Sequence, residues 1–286
     1  MKSLSRLIPV FLAAIIIANF FLPACKSGGD NKRNSKAESD SLYPEATLSP
    51  ELKAQLYDLP TPFQVTLMLE KAKAGYIYDI TNSPGNIGKY ITEKRKALNL
   101  GVYSADLAYS ATFNRIDQTN MFLGCTMKLA EELGIGGVYT TRLVDKVRAT
   151  NNNKDSLVNL ISKTLIHCNT ILALQNKNYL ALLMATGAFV EGLFLASELC
   201  VVARNNTGII EGILKQKENL EALIPILGHF QECPTMKLVY DAVVRLEPVF
   251  TDYGMVQGKI LDRKKAIELN ILIESVRHEF VTNTPL

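Results

Sequence analysis

The chain has 286 residues, of which 48% are hydrophobic and 21% charged, with no Trp; that is enough apolar material for one large core or two small ones. Its net charge is +3, but two of those charges, Lys2 and Arg6, lie in a leading segment without acids, which leaves +1 from Cys25 onward. A near-neutral body presents no basic face, so nucleic acid is excluded as a partner.

The first 24 residues have a basic start (Lys2, Arg6) and an apolar stretch from Leu7 to Ala24, interrupted by Pro9 and Asn19. This pattern predicts a secretory signal peptide over 1–24 rather than part of the fold. An uncleaved transmembrane anchor, or a soluble product cleaved after Ala24, would also fit the length of the run. Leu22-Pro23-Ala24-Cys25 resembles the lipobox of bacterial lipoproteins, with Pro23 an unusual occupant. The resemblance implies lipid attachment at Cys25 and a cell-envelope location, the outer membrane in particular. Several acyl chains, each burying CH2 groups at about 0.8 kcal/mol apiece, anchor a protein almost permanently where one holds it reversibly. The stretch that follows, KSGGDNKRNSKAESDS, is polar and balances its charges. It cannot bury a core, so residues 25–47 are expected to be the lipidated cysteine and a disordered tether.

From residue 48 to 286 the apolar period is helical, and an all-α, multi-helix, bundle-like domain is expected. Ser49 with Pro50, and Thr61 with Pro62, each read as an N-cap followed by proline at the first helical position. The second helix carries Val65, Met68, Leu69, Ala72, Tyr76 and Ile80 as one stripe. TNSPGNIG reads as a loop. Helices are predicted at about 87–99 and 101–114, or as one helix bent at Gly101. Others follow at 116–133 and 139–149, with Gly134 as the stop between them. Asp155 or Ser156 should cap a helix bearing Leu157, Leu160, Ile161, Leu165, Cys168 and Leu172. NYLALLMATGAFVEGLFLASELCVVAR is the most apolar segment of the body. Further helices are expected near 207–230, 235–248 and 255–281. A helical-repeat array would need a constant period, and none is present.

Two segments echo each other: GVYSADLAYSA (101–111) and GAFVEGLFLAS (187–197). Helices with small residues at such positions can pack closely at the centre of a fold, because Gly and Ala let backbones approach. KALNLGVYSADLAYS and GAFVEGLFLAS, behind a lipobox, resemble an uncharacterised group of all-helical lipoproteins of Bacteroidota. The resemblance implies an envelope location and a helical fold, and brings no activity and no site residues with it.

Reaction chemistry is sparse. GNIGK and GMVQGK lack the spacing and the Ser/Thr of a phosphate loop and follow no strand. The three histidines, His167, His229 and His278, have no Glu three residues before them, so a di-iron bundle site is not expected. No cofactor, no metal and no catalytic residue is predicted. Four body cysteines, Cys125, Cys168, Cys200 and Cys233, are expected to be free, the first three as small apolar groups inside helices.

The acids are more informative. Asp106 lies in an apolar helix, while Glu191 and Glu198, seven residues apart, share a face of another. A buried carboxylate must be paired, and Arg115, Arg204, Lys94 or tyrosine hydroxyls are the candidate partners. Tyr103, Asp106, Tyr109 and Glu191 are the candidate ligand-binding residues, converging in a polar pocket between central helices. The alternative for the same residues is a structural polar contact. No aromatic cluster falls in a predicted loop, which weakens a glycan platform. The functional expectation is a non-enzymatic envelope lipoprotein whose helical body binds an envelope protein or a small ligand. A small-molecule or glycan-binding lipoprotein is the first alternative and a carboxylate-using hydrolase the second.

Overall fold

The computed structural model describes residues 69, 74–149, 153–253 and 258–282. The signal segment, Cys25, the tether and the helix expected after Pro50 lie outside the described residues. Among the described residues every regular element is a helix, as the period requires. The ten α-helices described end to end are α1 (Glu93–Thr112), α2 (Ile116–Glu132), α3 (Thr141–Ala149), α4 (Lys154–Leu174), α5 (Asn178–Val202), α6 (Thr207–Leu214), α7 (Lys217–Gly228), α8 (Pro234–Val244), α9 (Glu247–Asp252) and α10 (Arg263–Val281).

The centre is built by α1 and α5. The side chain of Thr92 caps α1 by accepting from the Arg95 amide, and Glu93 sits in the first turn, where the helix dipole favours an acid. Helix α5 is apolar all round, which is the signature of a buried helix or a membrane span. Both α4 and α5 are long and apolar enough to cross a membrane, yet the α5 window is 94% buried inside the fold. It is the core helix.

The two echoing segments explain each other. A Cβ on Gly101 would lie 1.9 Å from the Met184 carbonyl oxygen, and one on Gly187 would lie 2.0 Å from that of Leu98. Each glycine therefore lets its own helix touch the backbone of the other. Helix α1 runs unbroken through Gly101, which makes room for α5.

Helix α10 closes the centre by packing on α5 and α1. Its last carbonyls, which a helix leaves without partners, are taken by α1. Arg95 Nη1 donates to Glu279 O and Phe280 O, both at 3.2 Å, and Asn99 Nδ2 donates to Phe280 O at 3.0 Å. Tyr90 Oη donates to Val281 O at 3.2 Å.

Several expected boundaries move. The loop TNSPGNIG contains a 3-10 helix, Pro84–Lys89, with Ser83 as its cap. The stripe ending at Tyr76 and Ile80 is not helical there: residues 74–83 run as an irregular strap with bends at Tyr78-Asp79 and Thr81. The helix expected over 207–230 is interrupted at Lys215-Gln216, giving α6 and α7. That expected over 235–248 stops at Val244, since Pro248 has no amide to continue the ladder and instead starts α9. Asn153, rather than Asp155 or Ser156, caps α4, accepting from the Ser156 amide. Gly134 is the expected stop, with φ +76°.

Candidate functional site

Residues three apart on a helix lie on one face, so Tyr103, Asp106 and Tyr109 form a row of polar tips along α1. All three side chains are fully buried, as is Glu191 of α5. The row is covered by the strap. Tyr109 Oη accepts from Ile77 N at 2.9 Å and donates to Ile77 O at 3.4 Å. Asp106 Oδ2 accepts from Asn82 N at 3.1 Å, and Tyr103 Oη donates to Ser83 O at 2.8 Å. Asn82 Nδ2 donates to Tyr90 Oη at 2.9 Å. What these side chains hold is the chain's own backbone.

An irregular segment has no ladder of its own, and its buried amides and carbonyls require partners. Here side chains from α1 supply them. Asp79 takes a left-handed conformation, φ +68°, at the bend of the strap.

Asp106 and Glu191 do meet, and the cation between their helices is Arg277 of α10. Arg277 Nε donates to Glu191 Oε2 at 2.8 Å and Nη2 donates to Oε1 at 3.0 Å, a two-pronged pairing that fits the guanidinium fork. Arg277 also reaches Ile80 O of the strap at 3.5 Å, and its guanidinium carbon lies 4.4 Å from the centre of the Phe194 ring. The candidate cations Arg115, Arg204 and Lys94 are not the partners of these acids. Glu198 lies two turns further along α5 and accepts from Asn270 Nδ2 at 3.0 Å.

Burial and then the neighbouring Glu191 charge push the Asp106 carboxyl well above the usual carboxylate range, against the opposing pull of Arg277 and the Asn82 amide. Burial and the Glu191 charge both favour the protonated form of Asp106. Its Oδ1 has no partner of its own, and the Glu191 side chain is the carboxyl group that interacts with Asp106. With the proton on Oδ1, that oxygen becomes a donor and Glu191 accepts. One proton and one guanidinium satisfy two buried acids. Burial would lower the Arg277 basicity, but the Glu191 charge overrides it and raises it. Burial likewise pushes the Tyr103 and Tyr109 hydroxyls up, keeping both neutral.

The strap carries Tyr76 and Tyr78 of an aromatic cluster, in a non-helical segment where none was expected. Tyr76 stacks on Tyr109 with ring centres 4.8 Å apart, and Tyr78 meets Tyr76 edge-on at 4.8 Å. Phe113 lies 5.0 Å from Tyr109. The Arg115 guanidinium carbon sits 4.9 Å from the Tyr76 ring centre and 5.2 Å from that of Tyr78.

Two surface grooves, of about 660 and 450 Å³, flank the end of α5 and share Val202, Ala203 and Arg204. None of the four candidate ligand-binding residues lines either groove. The cysteines Cys125, Cys168, Cys200 and Cys233 are free, and burial raises the thiols of the first three to about 11, 12 and 11.

Arg277 and Asn82 were not picked out from sequence. A buried glutamate demands a cation, and Arg277, placed one turn before the end of an amphipathic helix, was the signal available for it. Asn82 gave none, because its contribution is a backbone amide. Comparison with protein-family models, with curated proteins and with solved structures gives no match to this chain.

Proposed function

We propose that this chain is a lipid-anchored protein of the cell envelope, joined to the membrane through Cys25, whose helical body acts by binding at its surface. The apolar run ending in Leu22-Pro23-Ala24-Cys25 supports the anchor. One observation carries the rest: the interior polar groups that could serve a ligand are committed to the strap and to each other. Tyr103, Asp106 and Tyr109 hold the strap backbone, and Glu191 is taken by Arg277 and Asp106. A surface that binds a protein or a small ligand needs no interior chemistry. The partners in this reading are the membrane, through the lipid, and an envelope protein or small ligand, with no cofactor.

Fractionation tests the anchor. Cys25→Ala should move the protein from the membrane to the soluble fraction, and intact mass of the wild type should show lipid on Cys25 with residues 1–24 removed. An unmodified Cys25 would defeat the anchored reading.

A further inference from the structure

The corner made by the strap and the α1–α2 turn has the makings of a ligand site distinct from the buried acids. Asn114, with φ +54°, turns the chain between α1 and α2 and delivers Arg115 against Tyr76 and Tyr78 of the strap. The guanidinium sits against two tyrosine rings set almost perpendicular to each other, 85° apart. These rings attract the cation through their faces but accept none of its protons in strong hydrogen bonds. Arg115 Nε is covered and has no acceptor. Among the described residues the two Nη nitrogens have no hydrogen-bond or ion-pair partner either. An arginine carries five donors in a rigid fork. Here the fork is oriented by aromatic packing, and its outer edge is left unused.

That edge suits one chemistry. A carboxylate approaching end-on accepts one bond from each Nη, the two-pronged geometry that distinguishes arginine from lysine. The ring of Tyr78 beside it is 55% exposed, an unusual state for a large side chain held against a cluster. It offers a flat apolar face next to the cation. The exposed acids Asp79 and Asp117 belong to the same two segments, the strap and the first turn of α2. A second negative charge on the ligand would be repelled.

We propose that Arg115, Tyr76 and Tyr78 form a surface site for a monocarboxylate carried on a ring-shaped body. The carboxylate pairs end-on with the Arg115 fork and the ring lies on Tyr78. The site needs neither the lipid anchor nor the buried acids. The shared chemistry covers aromatic acids and uronic acids, which the test separates.

The full mature chain, in detergent, is titrated by calorimetry with benzoate, glucuronate, acetate and glucose. The expected result is binding of benzoate or glucuronate, with whichever binds naming the body that the platform takes. Acetate, which has no ring, should bind about tenfold more weakly, and glucose, which has no charge, not at all. Arg115→Lys should weaken the ring acid by about tenfold or more, because an ammonium cannot reproduce the fork. Tyr78→Ala removes an exposed side chain, so it should leave the melting temperature unchanged while weakening the ring acid to the level of acetate. No heat with either ring acid, or an affinity unchanged in both variants, would overturn the proposal and leave Arg115 as a pin for the strap.

Discussion

Arg277 donates to both carboxylate oxygens of Glu191, at 2.8 and 3.0 Å, from a helix 86 residues further along the chain. The pair ties α10 to α5, and its other contacts extend the tie to the strap. Glu191 is fully buried and the Arg277 side chain nearly so, at 0% and 14% exposure.

Removing one member of such a pair leaves the other charged and unpaired in the interior. Arg277→Met should therefore cost about 3–5 kcal/mol, the range for breaking a buried ion pair. Urea unfolding of the body measures it. A loss below about 1 kcal/mol, the worth of an exposed pair, would show that Glu191 is hydrated rather than buried.

The crossing of α1 and α5 gives a second prediction. Gly101→Ala and Gly187→Ala each force a methyl group into backbone, so the helices must separate. Each should destabilise by at least about 1–3 kcal/mol, the usual cost of overpacking a core. For a chain of this size that is a fall in melting temperature of roughly 2–4 °C per kcal/mol. Gly124→Ala is the control, because nothing lies within 4 Å of a Cβ there; it should be neutral or slightly stabilising, since alanine favours helix.

The helical content and the close approach of the two echoing helices could be read from period and from small residues. Each depends on local sequence, and the 3.6-residue period survives packing. The strap could not be read that way. Tyr76 and Ile80 continue an apolar spacing that also fits a helix, and what overrides it is tertiary. Tyr109, Asp106 and Arg277 offer the segment's amides and carbonyls partners that only the assembled bundle supplies. That Tyr103, Asp106, Tyr109 and Glu191 would need partners was legible because buried polar groups must find them, but only Asp106 and Glu191 meet, while Tyr103 and Tyr109 hold Ser83 and Ile77 separately. That the object they hold is backbone was not, since an amide leaves no trace in residue identity.

Cysteine reactivity gives a third test. Denatured, unreduced body should take up about four thiol-labelling equivalents, one for each free cysteine of the body. In the folded protein Cys125, Cys168 and Cys200 are buried, with thiols raised by that burial, whereas Cys233 is partly exposed. Native labelling should stop near one equivalent and disappear in Cys233→Ser. Uptake of only two equivalents after denaturation would mean that a disulfide is present.

The strap gives a fourth. Tyr109→Phe keeps the ring stack with Tyr76 but leaves the Ile77 amide and carbonyl without their partner. A loss of about 1–3 kcal/mol is expected for unpaired buried groups. Hydrogen exchange should locate it, with protection falling at Ile77 and Asn82 before it falls in α5. Equal loss of protection in α5 would mean that the strap and the core open together.

Asp106 is a structural acid whose burial beside Glu191 favours its protonated form, and the stability of Asp106→Asn as a function of pH reads that proton. An aspartate whose folded-state pKa lies above its unfolded value takes up a proton on folding. Its contribution to stability therefore falls by about 1.4 kcal/mol per pH unit from the unfolded pKa near 4 upward, and levels off only above the folded value. Asparagine copies the protonated acid, accepting from Asn82 N and donating to Glu191, but it does not titrate. Groups away from the pair titrate alike in the two proteins, so the difference between them reports the proton that Asp106 shares with Glu191. Asp106→Asn should gain on the wild type steadily as pH rises from about 4 towards neutrality. A difference that stays constant over that range, or a variant that loses ground as pH rises, would contradict it.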